Sequence, residues 1–175
     1  MSLYIGLSQW SHPAWPGQLL RRSLKTTEHL IDYAQVFNSV EGNTSLYGVP
    51  TTASLVRWNE QTPKHFKFTL KFPASISHQG LLADKLSETQ SFIEHLAPLR
   101  AKLGMLLLQL PARSGPEQLP GLAKLLDALP SDLTCGVEVR HPAFFAKGDV
   151  ERDLNRLLIT HNANRIIMDS RAVFS

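Results

Sequence analysis

The chain has 175 residues, of which 43% are hydrophobic and 19% are charged. These fractions lie near the averages for globular domains, and they exclude a collagen-like, coiled-coil or largely disordered chain. The formal charge of +3 is only mildly basic and names no partner by itself. A single cysteine excludes an internal disulfide and a metal site built from cysteines alone.

No stretch of the sequence indicates a membrane segment. The longest apolar run, around Met105 to Leu108, is far too short to cross a bilayer. The first residues also lack a basic segment followed by an apolar core. We therefore expect a cytoplasmic protein with no membrane partner, folded as a single domain over residues 1–175.

Short β-type runs alternate with segments of helical periodicity. The runs recur at about the 30-residue spacing of a strand plus a crossover helix, and each stops at a polar or charged residue. The predicted strands are Tyr4 to Leu7, Asn38 to Val40, Phe66 to Leu70, Met105 to Leu108, Cys135 to Val137 and Ile166 to Met168. Inside its predicted strand, Cys135 is expected to be an inert core thiol.

Five amphipathic helices are predicted between these strands. Each carries an apolar stripe at spacings of three and four residues, which places the stripe on one face. Their predicted starts are Thr26 or Thr27, Thr51 or Thr52, Ser87, Pro116 and Asp149. Pro98 should interrupt the third helix, because proline cannot donate a helical hydrogen bond. We expect the histidines of these helices, His29, His95 and His161, to face solvent.

Regular alternation of strands and helices permits an open doubly wound sheet or a closed barrel. The first turn, from Ser8 to Pro13, lacks the glycines of a dinucleotide-binding turn, which favours the barrel. The predicted class is α/β, a parallel (β/α) TIM-barrel-like fold. Because a whole barrel has eight strands in about 250 residues, we expect six of eight strands here and a C-terminally incomplete barrel.

Three carboxylates fall at predicted strand ends, namely Glu41, Glu138 and Asp169. The carboxyl ends of barrel strands converge on one face, so these side chains are expected to share a pocket. There they suit general acid and base catalysis or the binding of a divalent metal ion through oxygen. The alternative for each is a structural carboxylate bonded to a backbone amide or an arginine.

Two more candidates follow Glu138 directly. Alternation along a strand puts Arg140 on the same side as Glu138, where it could hold an anion or simply neutralise the carboxylate. His141 begins the next loop, and it could act as a base or ligand, or only shape the turn before Pro142. The predicted catalytic set is therefore Glu41, Glu138, His141 and Asp169.

The remaining candidates are ligand-binding residues around the same rim. Lys71 could bind an anion or act as a reactive amine, and the alternative is a salt bridge to Glu41. Aromatic rings in the first loops could stack on a sugar or a base, or pack the loops down. The full set of predicted binding residues is Trp10, His12, Asn43, Tyr47, Lys71, His78, Gln109 and Arg140.

Several motifs in this order closely resemble one family, the YecE-like proteins. The motifs are Gly6 to Ser11, Phe37 to Tyr47, Phe68 to Pro73, Ile76 to His78, Leu108 to Pro111, Val137 to Pro142 and Asp169-Ser170. The resemblance implies a TIM-barrel-like fold and a domain of unknown function. Many relatives read Gly-Trp-Ser-Tyr where this chain has Gln9 to His12, and Glu-Ile-Asn where it has Glu41 to Asn43.

Three functional hypotheses follow. The first is an enzyme that acts on a small polar, sugar-like or phosphorylated substrate by acid–base or metal-assisted chemistry. The second is a nucleic-acid binding or processing protein, suggested by the basic balance. The third is a non-catalytic module that binds a small molecule. None of these observations specifies the oligomeric state.

Overall fold

The computed structural model describes residues 3–168, which form an α/β structure around one parallel sheet. The strands are β1 (Ser39–Gly42), β2 (Lys67–Lys71), β3 (Leu103–Gln109), β4 (Cys135–Glu138) and β5 (Asn164–Arg165). All neighbouring pairs are parallel, in the order β1-β2-β3-β4-β5. Within these residues β1 and β5 are the edges of the sheet and do not pair with each other.

The five predicted helices are confirmed, and two short ones join them. The helices are α1 (His29–Val36), α2 (Thr44–Tyr47), α3 (Thr52–Gln61), α4 (Ala74–Ser77), α5 (Leu86–His95), α6 (Leu119–Asp127) and α7 (Asp149–Thr160). The Thr51 side chain caps α3 by accepting a bond from the Ser54 amide. Pro98 lies in the 3-10 turn Ala97–Lys102, where the α5 segment is interrupted as expected.

The two outermost strand predictions need correction. Tyr4 to Leu7 is not a strand in this structure, although it runs beside β1. Side chains bond part of its backbone, since the Leu7 amide donates to the Tyr33 hydroxyl at 2.6 Å, and the Leu7 carbonyl accepts from the Glu41 amide of β1 at 3.0 Å. At the other edge, β5 comprises only Asn164–Arg165 and so ends before the predicted strand Ile166 to Met168 begins. The described sheet therefore has five strands rather than six.

Sequential order in a parallel sheet places the helices on one face, because each crossover is right-handed. The strand residues on this face are completely buried and pack against the apolar stripes of the helices. They are Val40, Phe68, Leu70, Leu106, Leu108 and Val137. The opposite face carries the apolar Met105 and Leu107 together with the polar side chains of these strands, namely Glu41, Thr69, Lys71 and Gln109.

The expectation that the helical histidines face solvent is wrong. His29 is buried, and its Nδ1 lies 2.8 Å from the Ser11 hydroxyl. His95 contacts the Pro50 carbonyl oxygen at 2.6 Å, and His161 lies 3.1 Å from an Asp127 carboxylate oxygen. Each imidazole therefore joins its helix to another segment, because its polar tip bonds there while its ring packs against the fold.

Cys135 lies in the core, as the sequence predicts. Its side chain is buried in β4, and burial raises the pKa of the thiol to about 12. A thiol in this state is protonated and unreactive at neutral pH. Across the part of the chain that the structure describes, no helix combines the length and apolar character needed to cross a membrane.

Gly6 allows the first segment to dock against β1. A methyl group on Gly6 would lie only 2.1 Å from the Ser39 carbonyl oxygen. We expect Gly6→Ala to push the segment off β1 and to lower the free energy of unfolding by about 1–3 kcal/mol. Urea denaturation and limited proteolysis of the N-terminal segment would measure both effects. Gly48→Ala is the matched control, because its methyl group would meet no atom within 4 Å.

Lys102, which directly precedes β3, stabilises the C-terminal end of α3. Its buried ammonium, whose pKa is lowered by burial, donates to the carbonyl oxygens of Asn59 and Thr62. Lys102→Met should leave these carbonyls unpaired and cost about 1–3 kcal/mol in urea denaturation. The control is Lys67→Met, which removes one bond to the Ala101 carbonyl from a less buried lysine. An equal loss of stability in both variants would contradict a special role of Lys102 at the end of α3.

Candidate functional site

The polar residues at the strand ends lie on one face of the sheet. In the parallel ladders Glu41 is level with Thr69, and Gln109 is level with Glu138. Lys71 ends β2 two residues beyond Thr69, so its side chain has the same orientation. Each of the four strands β1 to β4 thus presents a charged or amide group at the same rim.

Lys71 is the centre of this rim. Its ammonium lies 3.2 Å from a Glu41 carboxylate oxygen and donates to the Gln109 side-chain oxygen at 2.8 Å. Lys71 is only 9% exposed, and Gln109 is buried with it. The salt bridge to Glu41 that the sequence offers as an alternative is therefore present. A buried ammonium requires such acceptors, because an unpaired buried charge is very costly.

Glu138 and Arg140 form the second charged pair. The Arg140 guanidinium bonds one Glu138 carboxylate oxygen through Nε and Nη2, both at 2.7 Å. Glu138 is buried, whereas the Arg140 side chain is 42% exposed and covers it toward solvent. The neutralising role considered from the sequence is thus the observed contact, and the exposed edge of Arg140 stays accessible.

His78 and Arg113 extend the rim beyond these pairs. His78 follows α4, and its Nδ1 lies 2.7 Å from the Ser77 hydroxyl. The exposed Arg113, in the loop after β3, donates to the His78 carbonyl oxygen. Burial lowers the pKa of His78, and the charges of Arg113, Arg140 and Lys71 lower it further. Sequence reasoning missed Arg113. The only signal in the sequence is its position in the loop after a predicted strand, two residues after Pro111.

A cleft of about 410 Å³ opens beside Glu41. It separates the loop that follows the first segment from the residues after β1, and Asn43 bridges the two by donating to the Ser8 carbonyl at 3.0 Å. Its lining consists of Ser8, Gln9, Trp10, Ser11, Glu41, Asn43, Thr44 and Tyr47. Trp10 packs edge-on against Trp58, whereas Tyr47 is 86% exposed. Glu41 thus belongs to both the cleft and the Lys71 cluster.

Two predicted residues, His12 and His141, bond within their own loops. His12 is exposed, does not line the cleft, and bonds the Ala14 amide of its own loop. His141 accepts a bond from the Ala143 amide at 3.2 Å and so caps the turn that Pro142 begins. Asp169 lies outside the described residues.

A metal site was the other chemistry open to the carboxylates. Within residues 3–168, no three His, Cys, Asp or Glu side chains are grouped so that they could hold a metal ion. Glu41 and Glu138 instead each contact a cationic side chain. In the described rim, both carboxylates are thus paired with lysine or arginine.

The fold and the rim together define a parallel α/β protein with a charged cluster at the carboxyl ends of its strands. The chain belongs to the family described as "Protein of unknown function DUF72", whose model matches residues 4–174. It is 48% identical over 171 residues to the UPF0759 protein YecE of Escherichia coli strain K12, and 47% identical to that of strain O157:H7. The chain spans 60% of the length of these relatives.

Solved structures of the same family share the fold. One from Enterococcus faecalis V583 superposes with a TM-score of 0.79 at 25% identity, over 95% of this chain and 60% of that one. One from Thermotoga maritima MSB8 gives a TM-score of 0.76 at 27% identity, over 95% of this chain and 64% of the other. Both are described only as DUF72 family proteins.

The Glu138–Arg140 pair makes a testable contribution to stability. Arg140→Met should leave the buried Glu138 carboxylate without its cation and cost about 1–3 kcal/mol, less than a fully buried pair because Arg140 is partly exposed. Urea denaturation at neutral pH would measure this loss. Glu138→Gln in the Arg140→Met background should recover part of it. A double variant no more stable than Arg140→Met would show that the pair is not coupled.

Proposed function

We propose that the protein is an enzyme that acts on a small polar, sugar-like substrate by acid–base chemistry at the rim of the sheet. The observation that carries this proposal is the double position of Glu41. Its carboxylate lines the cleft and also contacts the buried ammonium of Lys71. A carboxylate that is open to a ligand and held by a neighbouring cation can exchange a proton at a defined place.

The proposed fold of the whole active unit is a TIM-barrel-like (β/α) barrel, of which the five strands form an arc. Sequential parallel strands with helices on one face support this, as does the likeness to the DUF72 structures. In such barrels the active site lies at the carboxyl ends of the strands. The Lys71 cluster occupies that end of the sheet.

Different roles follow from the different exposure of the two carboxylates. The Glu41 side chain is 38% exposed, so it is the group that a substrate in the cleft could reach first. Glu138 is buried behind Arg140 and is proposed as the second carboxylate, acting when a ligand draws Arg140 away. His141 and Asp169, which the sequence marks after strand ends, are kept as proposed supporting groups.

The cleft suits a hydroxylated ring. Tyr47 and Trp10 offer aromatic surface, which packs well against the apolar face of a sugar. Gln9, Ser11, Asn43 and Thr44 add polar side chains around that surface, which suits the hydroxyl groups of a sugar.

A small molecule is favoured over a nucleic acid because several arginines already lie in ion pairs. Arg21 pairs with Asp32, Arg100 with Asp132, Arg152 with Asp149, Arg156 with Asp153 and Arg165 with Glu151. Phosphate backbones are bound by arrays of available cations. Binding to single- or double-stranded DNA that weakens steeply with salt would instead support the nucleic-acid hypothesis.

The proposal is tested by a ligand screen followed by turnover. Sugars, sugar acids and sugar phosphates would be screened by thermal shift, and compounds that raise the melting temperature would be followed by NMR for conversion. Glu41→Gln should keep ligand binding and reduce turnover by about 100-fold or more. Glu60→Gln, an exposed carboxylate on α3, is the control and should keep full activity.

Two results would count against this function. Full turnover in Glu41→Gln would remove Glu41 from the chemistry. Binding without conversion of any screened compound would support the non-catalytic binding module. Repeating the turnover assay with a chelator would show whether a divalent metal ion takes part.

A further inference from the structure

Cationic groups lie at three successive strand ends on the rim that carries His78. Lys71 bonds Gln109, which is level with Glu138, and Glu138 in turn bonds Arg140. Lys71 comes from the end of β2, Arg113 from the loop after β3, and Arg140 from the loop after β4. Arg113 bonds the His78 carbonyl, and all three charges act on the His78 imidazole. These residues are distant in sequence, so their convergence is a product of the parallel topology.

The local charges do not cancel. Two carboxylates, Glu41 and Glu138, face the three cations and bond Lys71 and Arg140 respectively. Arg113 forms no ion pair with any carboxylate of residues 3–168. The cluster therefore keeps an excess of positive charge, and the exposed guanidiniums of Arg113 and Arg140 stand at its open side.

We propose that Lys71, His78, Arg113 and Arg140 bind the dianionic group of a phosphate monoester. The inference rests on the proposed function and narrows its substrate to a phosphorylated, sugar-like molecule. The hydroxylated part lies in the cleft beside Tyr47, and the phosphate lies at the cation cluster. Glu41 connects the two parts, since it lines the cleft and contacts Lys71.

A phosphate fits this cluster better than a single carboxylate does. Guanidinium groups donate paired hydrogen bonds to phosphate oxygens, and a phosphate offers three such oxygens to donors arriving from several directions. One arginine is enough for a carboxylate, whereas here two arginines, a lysine and a histidine lie at successive strand ends on one rim. Binding would also draw Arg140 from Glu138 and so expose that carboxylate to the substrate.

His78 makes the site sensitive to proton concentration. The groups that face it are Arg113, Arg140 and Lys71, together with the Ser77 hydroxyl. Without a ligand these cations favour the neutral imidazole. A bound dianion reverses the local field and favours the imidazolium, so binding takes up a proton and strengthens as pH falls.

The first test is calorimetric titration of the 175-residue chain with inorganic phosphate. Arg113→Met should weaken binding by about tenfold or more, since it removes a charge-assisted contact. Arg156→Met, an exposed arginine on α7, is the matched control and should bind like the wild type. Arg113 is exposed, so unchanged melting temperatures would show that both variants are folded. Equal affinity in Arg113→Met and wild type would overturn the site.

The second test separates the histidine from the ligand's own titration. Sulfate stays a dianion between about pH 8 and pH 6, so any change in its affinity over this range belongs to the protein. Wild-type affinity for sulfate should rise as pH falls, and His78→Gln should remove this dependence. A pH dependence that survives in His78→Gln would overturn the proposed role of His78. Acetate binding as tightly as phosphate would overturn the choice of a dianion.

The failure of this inference differs from the failure of the proposed enzyme. Glu41→Gln should still bind phosphate, because Glu41 is not a cation of the cluster. If Glu41→Gln lost turnover of an unphosphorylated substrate and the wild type bound no phosphate, the proposed enzyme would stand and the proposed phosphate site would be rejected. If phosphate binding depended on Arg113 but Glu41→Gln kept full turnover, the phosphate site would stand and the proposed role of Glu41 in catalysis would be rejected.

Discussion

The buried ammonium of Lys71 links the sheet to the site. It has acceptors on both neighbouring strands, the Glu41 carboxylate on β1 and the Gln109 side chain on β3. Burying a charge costs several kcal/mol unless such partners are in place. The partners are in place only when three strands run parallel in the observed register. Correct pairing of the sheet and assembly of the rim therefore depend on the same contact.

The two faces of the sheet divide structure from chemistry. Strands of parallel sheets usually read as continuous apolar runs because both faces are buried. Here the helix-facing side is apolar, while the other side carries Glu41, Thr69 and Lys71. Such polar groups weaken a core unless they are paired, and proteins retain them mainly where a site requires them. Family membership supplies the fold, so any chemistry must be argued from these side chains.

Prediction from sequence succeeded where the pattern is local. The stripe of α6 and the buried runs of β2 and β3 each lie within a few residues, so periodicity is enough to find them. It failed for Tyr4 to Leu7, whose composition suits a strand but whose backbone is bonded partly by the side chains of Tyr33 and Asn38. Topology also explains why the sequence alone was enough to predict that strand-end residues such as Glu41 and Lys71 lie at one rim.

The sequence by itself determined the class of elements, their order and the family, because hydrophobic periodicity and motif order are written along the chain. Tertiary structure decided which charges meet. Loop paths and side-chain distances decide three such contacts. They are the bond from Arg113 to the His78 carbonyl, the pairing of Glu138 with Arg140, and the bond from the Ala143 amide to His141. Electrostatic and hydrogen-bond partners are selected at separations of about 3 Å in space, which residue spacing does not encode.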